Sequence, residues 1–128
     1  MAHCGTFSQR LYNFSGNGDS DPSLDRNYAE QLKAACKPGD ARTAVAMDPG
    51  SQMAFDKDYY VNLQEHRGLF ISDATLLTDG EANNIVSKEI SSQEDFVAKF
   101  IMAMKKLIEL DVIMGNDGEI QQKCGSVN

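Results

Sequence analysis

No apolar run in this chain approaches the ~18 residues that a membrane-spanning helix needs. Excess basic charge is missing too. Twelve Lys and Arg against 19 Asp and Glu leave a formal charge of −7, the wrong sign for a surface that tracks a phosphate backbone. Neither a nucleic acid nor a membrane is therefore expected as partner. There are three cysteines, Cys4, Cys36 and Cys124. None stands in a Cys-x-x-Cys pair, which argues against zinc. No Asp-x-Asp-x-Asn-Gly run marks an EF-hand, and there is no internal repeat, no low-complexity tract and no series of alternating strands. Met1-Ala2-His3-Cys4 has neither the charged nor the apolar region of a signal peptide. What remains is a chain of 128 residues, 41% hydrophobic and 24% charged, long enough for at most one domain, residues 1–128.

Helical periodicity dominates what is present. Phe7, Leu11 and Phe14 predict a helix over 4–14, stopped by the glycines of 15–20. Asp21-Pro22 then reads as an N-cap followed by proline at the first helical position. Leu24, Tyr28 and Leu32 would face one way, and the helix would end near Cys36. A Cys4–Cys36 bridge would tie this helix to the chain start and constrain the unfolded chain by about 3–4 kcal/mol. Two buried thiols in a reduced protein are the alternative. Asn13-Phe14-Ser15 fits the acceptor triplet for N-glycosylation and belongs with a secreted chain.

Turn signals at Lys37-Pro38-Gly39-Asp40 and Asp48-Pro49-Gly50 mark 37–54 as a loop. A helix is expected over 55–65, a short one from Ser72-Asp73, and another after Asp79-Gly80. The longest starts at Ser91, where Glu94 completes a capping box. Phe96, Phe100, Met104, Leu107 and Ile108 form an apolar stripe that Val97 and Ile101 widen into a core face. The expected fold class is all-α with irregular loops.

The most informative stretch is 48–73. Asp48, Ser51 and Asp56 place three oxygen donors within nine residues, in a turn-rich segment suited to a hard cation. The same residues also serve as turn formers and helix caps, and spacing alone does not choose between the two. Asp73 reads as the cap of a following helix. His66 lies in the charged run Gln64-Glu65-His66-Arg67 and is expected in solvent.

Five segments together carry a family resemblance: AHCGTFSQRLYNFSG at 2–16, DPSLDRNYAEQLKAAC at 21–36, MDPGSQMAFDKDYYVNL at 47–63, RGLFISDATLL at 67–77 and GEIQQKCGSVN at 118–128. The chain resembles, over essentially its whole length and with matching spacing, the C-terminal, proximal half of secretory plant (class III) haem peroxidases. The resemblance implies the proximal half of that all-α fold, a Cys4–Cys36 disulfide, and a partner for the unpaired Cys124 in the N-terminal half. It implies a calcium site with side-chain ligands Asp48, Ser51 and Asp56 and the backbone carbonyl of Ala54. It matches Asp73 to the carboxylate that accepts a hydrogen bond from the proximal haem histidine, and His3 to a residue near the haem edge.

In the family, haem b and calcium serve a peroxide-dependent one-electron oxidation of phenolic donors, in secreted or vacuolar proteins that remove hydrogen peroxide under oxidative stress. The haem-ligating histidine, and the threonine after it that also ligates calcium, would fall just before Met1. The distal His and Arg belong to the N-terminal half. The chain alone is thus expected to be inactive and to self-associate through its uncovered core face. The alternative is a non-catalytic helical module that binds calcium or a partner.

Overall fold

The computed structural model describes residues 1–112, 117–118, 120, 122–123 and 125; Cys124 lies outside the described residues. Contacts divide the chain into two compact units, Met1–Val97 and Ala98–Asn128. Among the described residues the fold is all-α apart from one two-residue ribbon, in which β1 (Ala2–His3) pairs antiparallel with β2 (Ala44–Val45), Ala2 opposite Val45. The helices are α1 (Ser8–Tyr12), α2 (Arg26–Ala35), α3 (Asp58–Gln64), α4 (Ile71–Thr78), α5 (Gly80–Ser91) and α6 (Gln93–Glu109).

The helix expected over 4–14 is split. The Cys4 amide donates to the Thr43 carbonyl at 2.8 Å, which holds the chain start extended, so a 3-10 turn at Cys4–Thr6 precedes α1. Phe7 and Leu11 still reach the core, where they meet Leu24, Tyr28, Leu32 and Leu69. Each such side chain stabilises the fold by about 1.5–3 kcal/mol on burial. A disulfide joins Cys4 to Cys36 with the Cα atoms 5.5 Å apart, inside the ordinary range for such bridges. The Tyr12 hydroxyl donates to the Cys36 carbonyl at 2.5 Å and fastens α1 to the end of α2.

Asp21 does not cap α2. That role falls to Asp25, whose carboxylate accepts from the Tyr28 amide at 2.8 Å. Asp21 is engaged elsewhere. Arg10, 3% exposed, donates from Nε to Asp21 Oδ2 at 2.6 Å, from Nη2 to Ser23 Oγ at 3.1 Å and from Nη1 to the Gly68 carbonyl at 2.8 Å. The other Asp21 oxygen accepts from the Ser23 amide and hydroxyl. A buried guanidinium must pair, and Asp21 is the carboxylate that reaches it, so the helix starts at the next acidic residue along.

Two further helix starts are displaced. Ser91 ends α5 and donates to the Lys88 carbonyl; Ser92 Oγ accepts from the Asp95 amide at 3.2 Å and caps α6. α4 begins at Ile71 with Phe70 at the N-cap position, so Asp73 is its third residue and caps from there, its carboxylate accepting from the Phe70 amide. α3, α4 and α5 pack on one another, with Leu63 and Val86 buried. Within the first unit, Phe96 at the start of α6 lies 5.2 Å from the Phe55 ring and 5.9 Å from that of Tyr60. In the second unit, Phe100, Ile101, Met104, Leu107 and Ile108 of the expected core face are exposed.

Burial raises the Asp21 pKa, but the Ser23 hydrogen bonds and the Arg10 guanidinium outweigh it and leave the carboxyl below its ordinary 3.8. Its contribution is complete above the unfolded value and disappears as pH falls through the folded one. Asp21→Ala leaves Arg10 buried without a counter-charge and is expected to cost about 3–5 kcal/mol, read by urea denaturation at pH 7. The gap between parent and variant should narrow below pH 3.8; a pH-independent gap would exclude the ion pair as its source.

Candidate functional site

The loop between β2 and α3 turns at Asp48-Pro49-Gly50. Gly50 has φ +99°, a left-handed conformation that disfavours any residue with a Cβ. The turn brings the three predicted oxygen donors together. Ser51 Oγ lies 2.7 Å from Asp48 Oδ2 and 3.1 Å from Asp56 Oδ1. A hydroxyl has one proton, so it can satisfy only one of the two carboxylates at a time. The cluster is short of positive charge, and its donors are all hard oxygens of the kind calcium takes. Lys57, the adjacent lysine, directs its ammonium to the Ile90 carbonyl. Asp56 Oδ1 also accepts from the Asp58 amide at 3.0 Å, so its capping role and its place in the cluster coexist. The Ala54 amide donates to the Ser51 carbonyl at 2.8 Å; the residue is exposed. Among the described residues no group of three or more His, Cys, Asp or Glu is arranged to hold a metal, because this cluster has only two carboxylates.

Two anchors hold the loop from outside. The Asn62 amide, on α3, donates to Asp48 Oδ1 at 2.7 Å and to the Pro49 carbonyl at 3.3 Å. The Gln93 side chain, on α6, accepts from the Lys57 amide at 3.0 Å and donates to the Phe55 carbonyl at 3.3 Å, bracketing Asp56. Neither anchor is evident from local sequence. The trace left by Asn62 is a polar residue three positions after Tyr59 and beside the apolar Val61 and Leu63.

Asp73 is 7% exposed and both its oxygens are engaged. Tyr59 donates its hydroxyl to Oδ1 at 2.8 Å and the Phe70 amide donates to Oδ2 at 2.8 Å. Burial and the Asp73 carboxylate push the Tyr59 pKa well above its ordinary value, so this hydroxyl remains a donor at any physiological pH. Gly68 makes the arrangement fit. A Cβ there would lie 2.5 Å from Asp73 Cβ and 3.0 Å from Leu63 Cδ2.

The remaining predicted residues lie apart. His3 is exposed, and its Nδ1 donates to the Arg42 carbonyl at 3.0 Å. His66 is exposed as expected, with φ +57°, and its carbonyl accepts from the Asp25 amide. Asn13 is exposed at the end of α1, and its side-chain oxygen accepts from the Gly18 amide.

Comparison with known proteins follows the same segments. The family model described as peroxidase matches residues 1–92. Peroxidase 56 of Arabidopsis thaliana is 45% identical over 127 residues, which cover 98% of this chain and 39% of that protein. Peroxidase 27 and Peroxidase 45 of the same plant are 44% and 45% identical over 129 aligned positions, with 100% of this chain and 40% of each relative covered. The chain thus spans about two fifths of the length of these curated relatives.

Gly68→Ala is expected to lower stability by about 1–3 kcal/mol through overpacking against Asp73 and Leu63. Gly80→Ala, where nothing lies within 4 Å of an added Cβ, should be neutral or mildly stabilising. Thermal denaturation of the two variants checks the contrast, and equal midpoints would refute the close contact.

Proposed function

The chain belongs to the peroxidase family, and from that premise we propose that residues 1–128 form the proximal, C-terminal part of a secretory plant haem peroxidase domain. In this reading the whole domain oxidises phenolic donors one electron at a time at the expense of hydrogen peroxide, with haem b and calcium as cofactors. It works outside the cytosol, secreted or vacuolar, where an oxidising environment suits the Cys4–Cys36 bridge and the Asn13 triplet can be glycosylated. Cys124 pairs with the other half of the domain. No helix among the described residues is long and apolar enough to cross a membrane.

The observation that supports this most directly is the convergence of Asp48, Ser51 and Asp56 on one hydroxyl. The donors suit calcium. Asp48, Ser51 and Asp56 would hold it through side-chain oxygens and Ala54 through its carbonyl, and the ion would supply the positive charge the two carboxylates lack. The loop leads into α3, and Tyr59 on α3 holds Asp73, so an ordered loop steadies the carboxylate behind the axial ligand.

Haem is a different case: these residues do not complete a haem site. Asp73 is engaged by Tyr59 and Phe70, and His3 faces Arg42. We assign Asp73 to orienting the axial histidine of the whole domain, and His3 to the haem edge, neither of them as the axial ligand.

A second reading rests on α6. Ile101, Met104, Leu107 and Ile108 are exposed together, which suits a non-catalytic helical module that binds calcium or a partner; in either reading the exposed face favours self-association.

Calorimetry with calcium chloride on the chelator-treated chain should give binding heat that Asp48→Ala abolishes; no heat and no thermal shift would sink the calcium assignment. Haem-reconstituted 128-residue chain should fail to turn over a phenolic dye with hydrogen peroxide. Normal turnover would show that these residues are catalytically sufficient and overturn the assignment of the chain as the proximal part alone.

A further inference from the structure

Asn62 is 6% exposed, and its environment is unusually one-sided. Both groups facing its amide nitrogen are acceptors, a carboxylate oxygen of Asp48 at 2.7 Å and the Pro49 carbonyl at 3.3 Å. The NH2 end must therefore point at the loop, since the amide oxygen would meet only other oxygens. Asp48 is thereby divided. Oδ1 is held by α3, while Oδ2 faces Ser51 Oγ and, across it, Asp56. Two carboxylates sharing one hydroxyl proton repel each other, and within the loop Asp48 is held against rotation by that shared Ser51 hydroxyl. The Asn62 amide supplies a hold on Asp48 from outside the loop, with protons that Asp56 does not share.

From this geometry we infer that Asn62 is a positioning residue for cation binding. It fixes the Asp48 carboxylate so that Oδ2, and not Oδ1, is presented beside Asp56, and it fixes the Pro49 carbonyl so that the turn cannot unwind. The inference rests on the calcium reading given above and names a residue that touches the ligand only through Asp48. Partners that orient a metal ligand in this way are worth about 10- to 100-fold in affinity, because without them the ion must itself order the ligand it binds.

The test compares the parent chain with Asn62→Ala, after chelator treatment, by calcium chloride calorimetry and by thermal midpoint in EDTA and in calcium. Tyr12→Phe is the control. It removes a hydrogen bond to the Cys36 carbonyl far from the loop, and should lower both midpoints equally. For Asn62→Ala the dissociation constant should rise at least ~10-fold and the calcium-induced gain in midpoint should shrink. Asn62→Ser, with a single shorter donor, should fall between the two, and decides the question by the same ratio if Asn62→Ala does not fold. Unchanged affinity, with midpoints lowered equally in EDTA and calcium, would make Asn62 an ordinary buried polar residue and overturn the inference. Absence of any calcium response in the parent would instead remove the calcium reading, and this inference with it.

Discussion

The guanidinium of Arg10 is the constraint on which the rest of the first unit depends. It is buried and donates to two segments distant from it in sequence, Asp21 with Ser23 in one and Gly68 in the other. Replacing such a network by well-packed apolar residues often leaves stability unchanged or improved, whereas leaving one member unpaired is severe. Its value here is geometric. The three acceptors must all be in place together, which fixes the start of α2 and the loop before α4 relative to α1. Gly68 then passes the constraint on, because its missing side chain lets Asp73 approach, and Asp73 takes the Tyr59 hydroxyl.

A second set of restraints meets the first at α3. The loop before α3 is tied at Asp48 by Asn62 and around Asp56 by Gln93. Asn62 and Tyr59 stand on the same short helix, one facing the loop and the other facing Asp73. The two candidate sites therefore share one seven-residue helix, with no loop between the two residues that hold them. Displacement of α3 would disturb both, which couples the Asp48–Asp56 loop to a carboxylate it does not touch.

Much of this was legible in the sequence, and the failures have a common cause. The apolar spacing of Leu24, Tyr28 and Leu32 located α2 correctly because burial follows periodicity. Its cap was misplaced because Asp21 and Asp25 are chemically identical candidates, and only the buried Arg10, eleven residues before Asp21, distinguishes them. Ser91 and Ser92 posed the same ambiguity, decided by which hydroxyl faces a free amide. Asp48, Ser51 and Asp56 were found through their match to known peroxidases, since their spacing also fits turns and caps. Asn62, Tyr59 and Gln93 escaped as site residues because their partners lie 14, 14 and 36–38 positions away, beyond any local pattern. The stripe on α6 was read correctly as apolar; Phe96 at its start meets Phe55 and Tyr60, while Ile101, Met104, Leu107 and Ile108 are exposed.

The Arg10 contacts also differ in when they can form. Asp21 and Ser23 lie within the ring closed by Cys4 and Cys36, whereas Gly68 lies outside it. A chain made from its N-terminus has the ring, the guanidinium and two of its three acceptors before residue 68 has been synthesised. The third donor is then left as a docking point for a segment still to come.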